Sequence, residues 1–116
     1  MNIFNIFRSK SSPESQWKVS LKNESICLTE PNGNKIECTI DEIEKVLIVT
    51  TEDGPIYPDV WWTIVANGKT LIFPQGAKGE NKLSDKIMNF PGFNFEKFME
   101  SMKCVEDMEF VCWTKE

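Results

Sequence analysis

The chain has 116 residues, no histidine and a formal net charge of −5. The lack of histidine removes the commonest general base and metal ligand at neutral pH, which argues against an enzyme. The pI is near 4.8, and the basic side chains are scattered along the sequence apart from a mildly positive start that contains Arg8, Lys10, Lys18 and Lys22. This pattern argues against nucleic acid and favours a cationic partner. The alternative interpretation is that the negative charge only keeps the protein in solution.

Length and composition predict one domain, residues 16–116, preceded by a flexible or loosely docked tail, residues 1–15. The first eight residues do not form a secretory signal, because asparagines interrupt their apolar positions and no basic residue precedes them. Their few apolar side chains make a weak membrane anchor. No apolar run reaches the ~20 residues of a membrane span. We therefore expect a cytoplasmic protein.

From Trp17 onward apolar and polar residues alternate, which predicts two successive β-hairpins. The first has a two-residue turn at Asn23-Glu24 and the second a three-residue loop ending at Gly33. These turns make apolar residues face each other in the pairs Val19/Leu28, Leu21/Ile26, Leu28/Ile36 and Ile26/Cys38. A two-residue turn at Asn32-Gly33 would instead place Leu28 opposite Glu37, so the three-residue loop is preferred.

The cysteines give no disulfide or metal signature. Cys38 falls on the buried face of its hairpin and Cys27 on the opposite face, although the two are close in sequence. Cys104 and Cys112 lie far along the chain, and no Cys-x-x-Cys spacing occurs. We interpret all four as reduced structural thiols.

The middle of the chain predicts a central strand and another hairpin. The run Lys45–Thr51 is rich in β-branched residues and apolar on both faces. After an irregular stretch, Val60–Phe73 forms a hairpin closed by a type I′ turn at Asn67-Gly68. Its core face is predicted to hold Val60, Trp62, Ile64, Leu71 and Phe73.

Helical periodicity follows only after this hairpin. A short helix ends at Pro91-Gly92, and a second begins at the N-cap Asn94. The predicted buried stripe of the second helix is Phe95, Phe98, Met99 and Met102. A final strand covers Glu109–Trp113. The predicted fold class is α+β: an antiparallel β-meander of about five to six strands, two short helices and a C-terminal strand.

No catalytic constellation, cofactor site or metal site is predicted. The glycine-rich segment 76–80 opens a helix, where phosphate can dock, but it lacks the P-loop pattern. The neighbouring acids Glu52 and Asp53 come from one loop, whereas a hard-metal enzyme recruits acids from several rigid elements. Solvated acids and a plain loop are the preferred interpretations.

The adjacent tryptophans Trp61 and Trp62 must point to opposite faces of a strand. One belongs to the core, and the other is either covered by the C-terminal helices or is an exposed aromatic anchor. Acidic and aromatic residues surround this position. The candidate partner-binding residues are therefore Glu52, Asp53, Tyr57, Asp59 and Trp61.

Four motifs in the body of the chain carry a resemblance. They are Gly54-Pro55-x-x-Pro58-Asp59-Val60-Trp61-Trp62, Phe73-Pro74-Gln75-Gly76-Ala77-x-Gly79-Glu80, Phe90-Pro91-Gly92-Phe93 and Phe110-x-Cys112-Trp113. They resemble a family of short bacterial proteins of unassigned function. That family is similar in class to the immunity proteins of toxin–antitoxin and contact-dependent growth inhibition systems. The resemblance implies no catalytic residues.

These observations predict a non-enzymatic binding protein, monomeric or weakly dimeric. The favoured hypothesis is an immunity protein that occludes a cognate toxin domain, of a basic, nuclease type. The alternative is a pleckstrin-homology-like adaptor that binds a peptide or a lipid headgroup. A cluster of lysine and arginine at one end of the sheet would favour this alternative, and the scatter of basic residues counts against it.

Overall fold

A computed structural model describes residues 14–52 and 59–115 of the chain. Within these residues seven strands form two antiparallel sheets: β1 (Lys18–Lys22), β2 (Ser25–Thr29), β3 (Lys35–Thr39), β4 (Ile43–Thr50), β5 (Val60–Ala66), β6 (Lys69–Pro74) and β7 (Met108–Thr114). Between β6 and β7 lie two helices, α1 (Glu80–Met88) and α2 (Phe95–Lys103). The predicted α+β fold, with a final strand after two helices, is confirmed. Most of the predicted tail lies outside the described residues.

The first sheet has the order β1-β2-β3, and both of its predicted registers are confirmed. Leu21 pairs with Ile26, and Leu28 pairs with both Val19 and Ile36. The three-residue loop between β2 and β3 depends on Gly33, which has a φ of +89° that glycine adopts without steric cost. Because side chains alternate along each strand, the buried face is apolar and the other face is polar.

The free edge of β1 is fastened to the segment that precedes α1. Val19 N–H donates to the Lys78 carbonyl over 2.8 Å, and Lys78 N–H donates to the Trp17 carbonyl over 2.9 Å. Gly79 follows with a φ of +84°, and a Cβ there would overlap the Val19 carbonyl oxygen. Glycine at this position therefore permits both the turn and the close approach of the two backbones.

The second sheet has the order β6-β5-β4-β7, with β4 in the interior as predicted. The predicted type I′ turn is confirmed, since Asn67 and Gly68 have φ values of +47° and +78°. Ile64 therefore pairs with Leu71, and Trp62 with Phe73. Both faces of the central strand are covered, because the five residues Val46 to Thr50 are all buried. A single apolar core joins both sheets and α1.

Helix α2 begins at the predicted cap, where Asn94 Oδ1 accepts a hydrogen bond from Lys97 N–H over 2.9 Å. Its predicted buried stripe is partly wrong, since Phe95 and Met99 are each 55% exposed. The residue of α2 that is fully buried is Ser101. Its small side chain lets that side of the helix approach the sheet closely, so the buried stripe is rotated away from Phe95 and Met99. Within residues 14–52 and 59–115, no helix is long and apolar enough to cross a membrane.

Candidate functional site

The two adjacent tryptophans are both core residues, each 1% exposed. Trp62 packs against Phe98 of α2 at a ring-centroid distance of 5.7 Å. Trp61 meets Trp17 edge to face, with the centroids 5.5 Å apart. The prediction that Trp61 is an exposed partner-binding anchor is therefore wrong. Both faces of β5 are covered, because the two tryptophans point to opposite faces and both are buried, and Trp17 supplies a contact that alternation along β5 did not reveal.

The acidic residues predicted beside Trp61 are found where β4 ends and β5 begins. Glu52 is exposed and Asp59 is half-buried. Thr51 N–H donates to the Asp59 carbonyl over 2.9 Å, which keeps the two acids at the same end of the sheet. Asp53 and Tyr57, the other two predicted residues, lie outside the described residues.

The structure brings a second acidic segment to this place, immediately before and within β7. Glu52 N–H donates to Asp107 Oδ1 over 3.2 Å, and the Thr50 hydroxyl donates to the Glu106 carbonyl over 2.7 Å. Glu109 follows in β7, opposite Val49. We define the acidic end by its five carboxylate residues Glu52, Asp59, Glu106, Asp107 and Glu109.

Exposed apolar side chains accompany the acidic end. Val105 is 76% exposed, and Met108 and Val111 of β7 are 45% and 41% exposed. Among the described strands β7 is an outer strand, and Asn94 N–H donates to its Cys112 carbonyl over 2.7 Å. Proteins usually protect an outer strand with lysine, proline or a covering element. An apolar outer strand bordered by carboxylates is instead typical of a surface that receives a partner.

A second polar surface lies on the outer face of the first sheet, where the register aligns three rows of side chains. The rows are Lys18/Thr29/Lys35, Ser20/Cys27/Glu37 and Lys22/Ser25/Thr39. We call this surface, together with the adjoining Lys69 and Lys78, the lysine face. The lysines are scattered in sequence, and the strand pairing gathers them. The pairing of β1, β2 and β3 places Lys18, Lys22 and Lys35 on this face, and Lys69 and Lys78 adjoin it from outside the sheet.

Two shallow grooves cross the lysine face and meet at Ser20 and Cys27. The larger, about 450 Å³, is lined by Lys22 and Lys69 and also by the carboxylates of Glu37 and Glu42. The smaller, about 300 Å³, is lined by Lys18, Val19, Ser20, Cys27, Thr29, Lys78 and Gly79. Of these two grooves, only the larger is therefore lined by carboxylates.

Glu42 remains ionised in the larger groove. Thr39 N–H donates to Glu42 Oε1 over 2.8 Å and lowers the pKa of this carboxyl below its ordinary value of 4.5. The Asn67 amide donates to the other oxygen of Glu42 over 2.8 Å and lowers the pKa further. Burial, and secondarily the charge of Glu42, raise the pKa of the nearby Cys38 thiol.

Other candidate groups have structural partners. In the glycine-rich segment, the N–H of Gly76 already has a partner in α1, because it donates to Oε1 of the buried Glu80 over 3.2 Å. All four cysteines are free, and Cys27 and Cys38 lie on opposite faces as predicted. Burial raises the pKa of Cys112 to about 11. Within the described ranges, no group of three or more cysteine, aspartate or glutamate side chains is arranged to hold a metal ion.

Comparisons of the chain with protein-family models, curated proteins and solved structures give no match. The resemblance to short bacterial immunity-type proteins therefore stays a prediction, and the function is argued from the two surfaces just described.

Proposed function

We propose that this protein binds a cationic partner protein through the acidic end and performs no catalysis. The observation that carries the proposal is the hydrogen bond from Glu52 N–H to Asp107, which joins two acidic segments of the chain. The joined segments stand beside the exposed side chains of Met108 and Val111. Carboxylates steer a basic partner towards this surface, and the apolar side chains provide area that is buried on contact.

The partner class that best fits this chemistry is a basic toxin domain, so we propose an immunity-type protein. Nucleases carry positive charge around the site that receives nucleic acid phosphates, and an acidic surface competes for that charge. Binding would then neutralise the toxin by occluding its active site. Because Trp61 is buried, the anchoring role passes to Val111, which shares a face of the outer strand with Glu109, and to Met108, which precedes Glu109 at the start of that strand.

Co-expression with the product of the adjacent gene tests this proposal. We expect a complex that survives purification at low salt and weakens as salt rises, since exposed charges are screened over about 10 Å at 0.1 M. The double variant Glu106→Lys/Glu109→Lys should lose the complex. The control Asp85→Lys/Glu96→Lys changes the net charge equally at exposed sites on the two helices and should keep it.

Two results would contradict the proposal. One is the absence of both a toxin domain in the adjacent gene product and any binding to it. The other is a complex that both charge-reversal variants weaken equally, because general charge rather than the acidic end would then be responsible. Circular dichroism of each variant establishes that it is folded before binding is measured.

A further inference from the structure

The lysine face is opposite in sign to the molecule that carries it. Its five lysines and the two glutamates of the larger groove, Glu37 and Glu42, give a local charge of +3. Since the whole chain carries −5, the remainder carries −8. A positive surface on an acidic protein lies outside the proposed binding of a cationic partner, and it calls for a ligand of the opposite charge.

The smaller groove offers cations and hydroxyl donors to an anion, and no carboxylate of the described residues lines it. Lys18 and Lys78 supply ammonium groups, while Ser20 and Thr29 supply hydroxyl donors. Within residues 14–52 and 59–115, no carboxylate forms an ion pair with Lys18 or Lys78. Ion pairs do form elsewhere in these residues, for example between Lys86 and Glu24. Two ammonium groups that share one groove repel each other. A bound anion relieves that repulsion.

The backbone around this groove is already in place. The hydrogen bonds between Val19 N–H and Lys78 O, and between Lys78 N–H and Trp17 O, fix the two lysine-bearing segments side by side. Gly79 follows at the left-handed φ that brings the chain against Val19. Binding therefore requires the ordering of two side-chain stems but no rearrangement of the main chain, which limits the entropic cost.

The lining selects among anions. A phosphate presents several oxygen acceptors to ammonium and hydroxyl donors, and lysine is a regular phosphate ligand. No aromatic side chain lines either groove, so the stacking that holds bases of single-stranded nucleic acid is missing. The two grooves, about 450 and 300 Å³, are within the range of small-molecule sites.

We propose that the lysine face binds a phosphorylated small molecule or headgroup, with a phosphate in the smaller groove between Lys18 and Lys78. The remainder of the ligand extends past Ser20 and Cys27 into the larger groove, where Glu37 accepts hydrogen bonds from its hydroxyl groups. The shared chemistry is that of a phosphate ester on a hydroxylated scaffold.

The experiment titrates the full chain with phosphate-bearing probes and measures binding through the backbone amide NMR shifts. One arm uses inositol trisphosphate and inorganic pyrophosphate. The other uses phosphatidylcholine vesicles with and without phosphatidylinositol bisphosphate, and co-sedimentation is its readout. Lys18→Gln/Lys78→Gln should weaken binding by roughly tenfold or more. The matched control Lys82→Gln/Lys97→Gln removes two exposed lysines of the helices and should change binding by less than about twofold.

Each outcome decides the proposal. Saturable shifts around Lys18 and Lys78 with the soluble probes support it and assign a soluble phosphate ester. Sedimentation only with bisphosphate vesicles supports it and assigns a lipid headgroup. Absence of binding in both arms overturns it, and so does equal weakening in the two lysine variants. Thermal unfolding of both variants excludes loss of the fold as the cause.

Discussion

Glu52 and Asp107 are 55 positions apart in the chain, and a hydrogen bond of 3.2 Å from the Glu52 main chain to the Asp107 carboxylate connects them. It ties the end of β4 to the residues that lead into β7. The position of both acids therefore depends on the pairing of these two strands, in which Thr50 lies opposite Met108.

Replacing Asp107 tests this connection. Asp107→Ala removes the acceptor and should lower the free energy of unfolding by about 1 kcal/mol. Asp107→Asn keeps an oxygen at the same place and should lower it less. Urea denaturation measures both effects. Equal losses in the two variants would show that the charge, rather than the acceptor for Glu52 N–H, stabilises this turn.

Two glycines with nearly the same backbone conformation should respond differently to alanine. Gly79 has a φ of +84° and Gly92 of +87°. Nothing lies within 4 Å of a Cβ at Gly92, so Gly92→Ala should cost only the left-handed strain, about 1–2 kcal/mol. Gly79→Ala adds an overlap with the Val19 carbonyl oxygen and should be clearly more destabilising. Thermal denaturation compares them, and equal losses would refute the proposed steric reason.

The four thiols should differ in reactivity. Cys38 and Cys112 are buried, and burial raises the pKa of both, that of Cys112 to about 11. Cys27 and Cys104 are half-buried. Because the thiolate is the reactive form, a maleimide should modify Cys27 and Cys104 before the other two. Peptide mass spectrometry after a short reaction checks this order, and early labelling of Cys112 would contradict its placement in the core.

The Glu42 carboxyl should contribute to stability in a pH-dependent way. Its pKa in the folded chain lies below the ordinary value of 4.5, chiefly because Thr39 N–H donates to it. The contribution is therefore fully present above the pKa of the unfolded chain and is lost as pH falls through the folded pKa. Glu42→Gln should be less stable than the native chain at neutral pH, and the difference should shrink in acid. Denaturation curves across this range measure it, and a difference independent of pH would contradict the assignment.

The outer strand should tolerate a charge without loss of the fold. Val111 is 41% exposed, so Val111→Lys should change the free energy of unfolding by no more than about 0.5 kcal/mol. It should nevertheless abolish the complex with the adjacent gene product. Met99→Lys, at a 55% exposed position of α2, is the matched control and should keep the complex. Retention of the complex by Val111→Lys would exclude Val111 from the interface.

The hairpin registers could be predicted because they depend on local chemistry. The turns at Asn23-Glu24 and Asn67-Gly68 connect strands that are neighbours in sequence, and apolar alternation then specifies which residues pair. The cap at Asn94 is local in the same sense, since its partner Lys97 is three residues away.

The candidate site was predictable only in part, because its other half comes from long-range pairing. Nothing in the sequence around Glu52 indicates that Asp107 lies beside it. The burial of Trp61 likewise depends on a residue outside its own hairpin, Trp17. The lysine face follows from alternation on three strands at once. Lys18 and Lys35 fall in one row only when both registers are combined, because each of them pairs with Thr29 of the strand between them.

The lysine face has a practical consequence for handling the protein. Charged resins adsorb macromolecules through local patches, and the formal sum of charges does not decide the outcome. Although its pI is near 4.8, the chain should be retained at neutral pH and low salt by a cation exchanger as well as by an anion exchanger. The salt concentration at which the chain elutes from the cation exchanger would then depend on the lysine face alone.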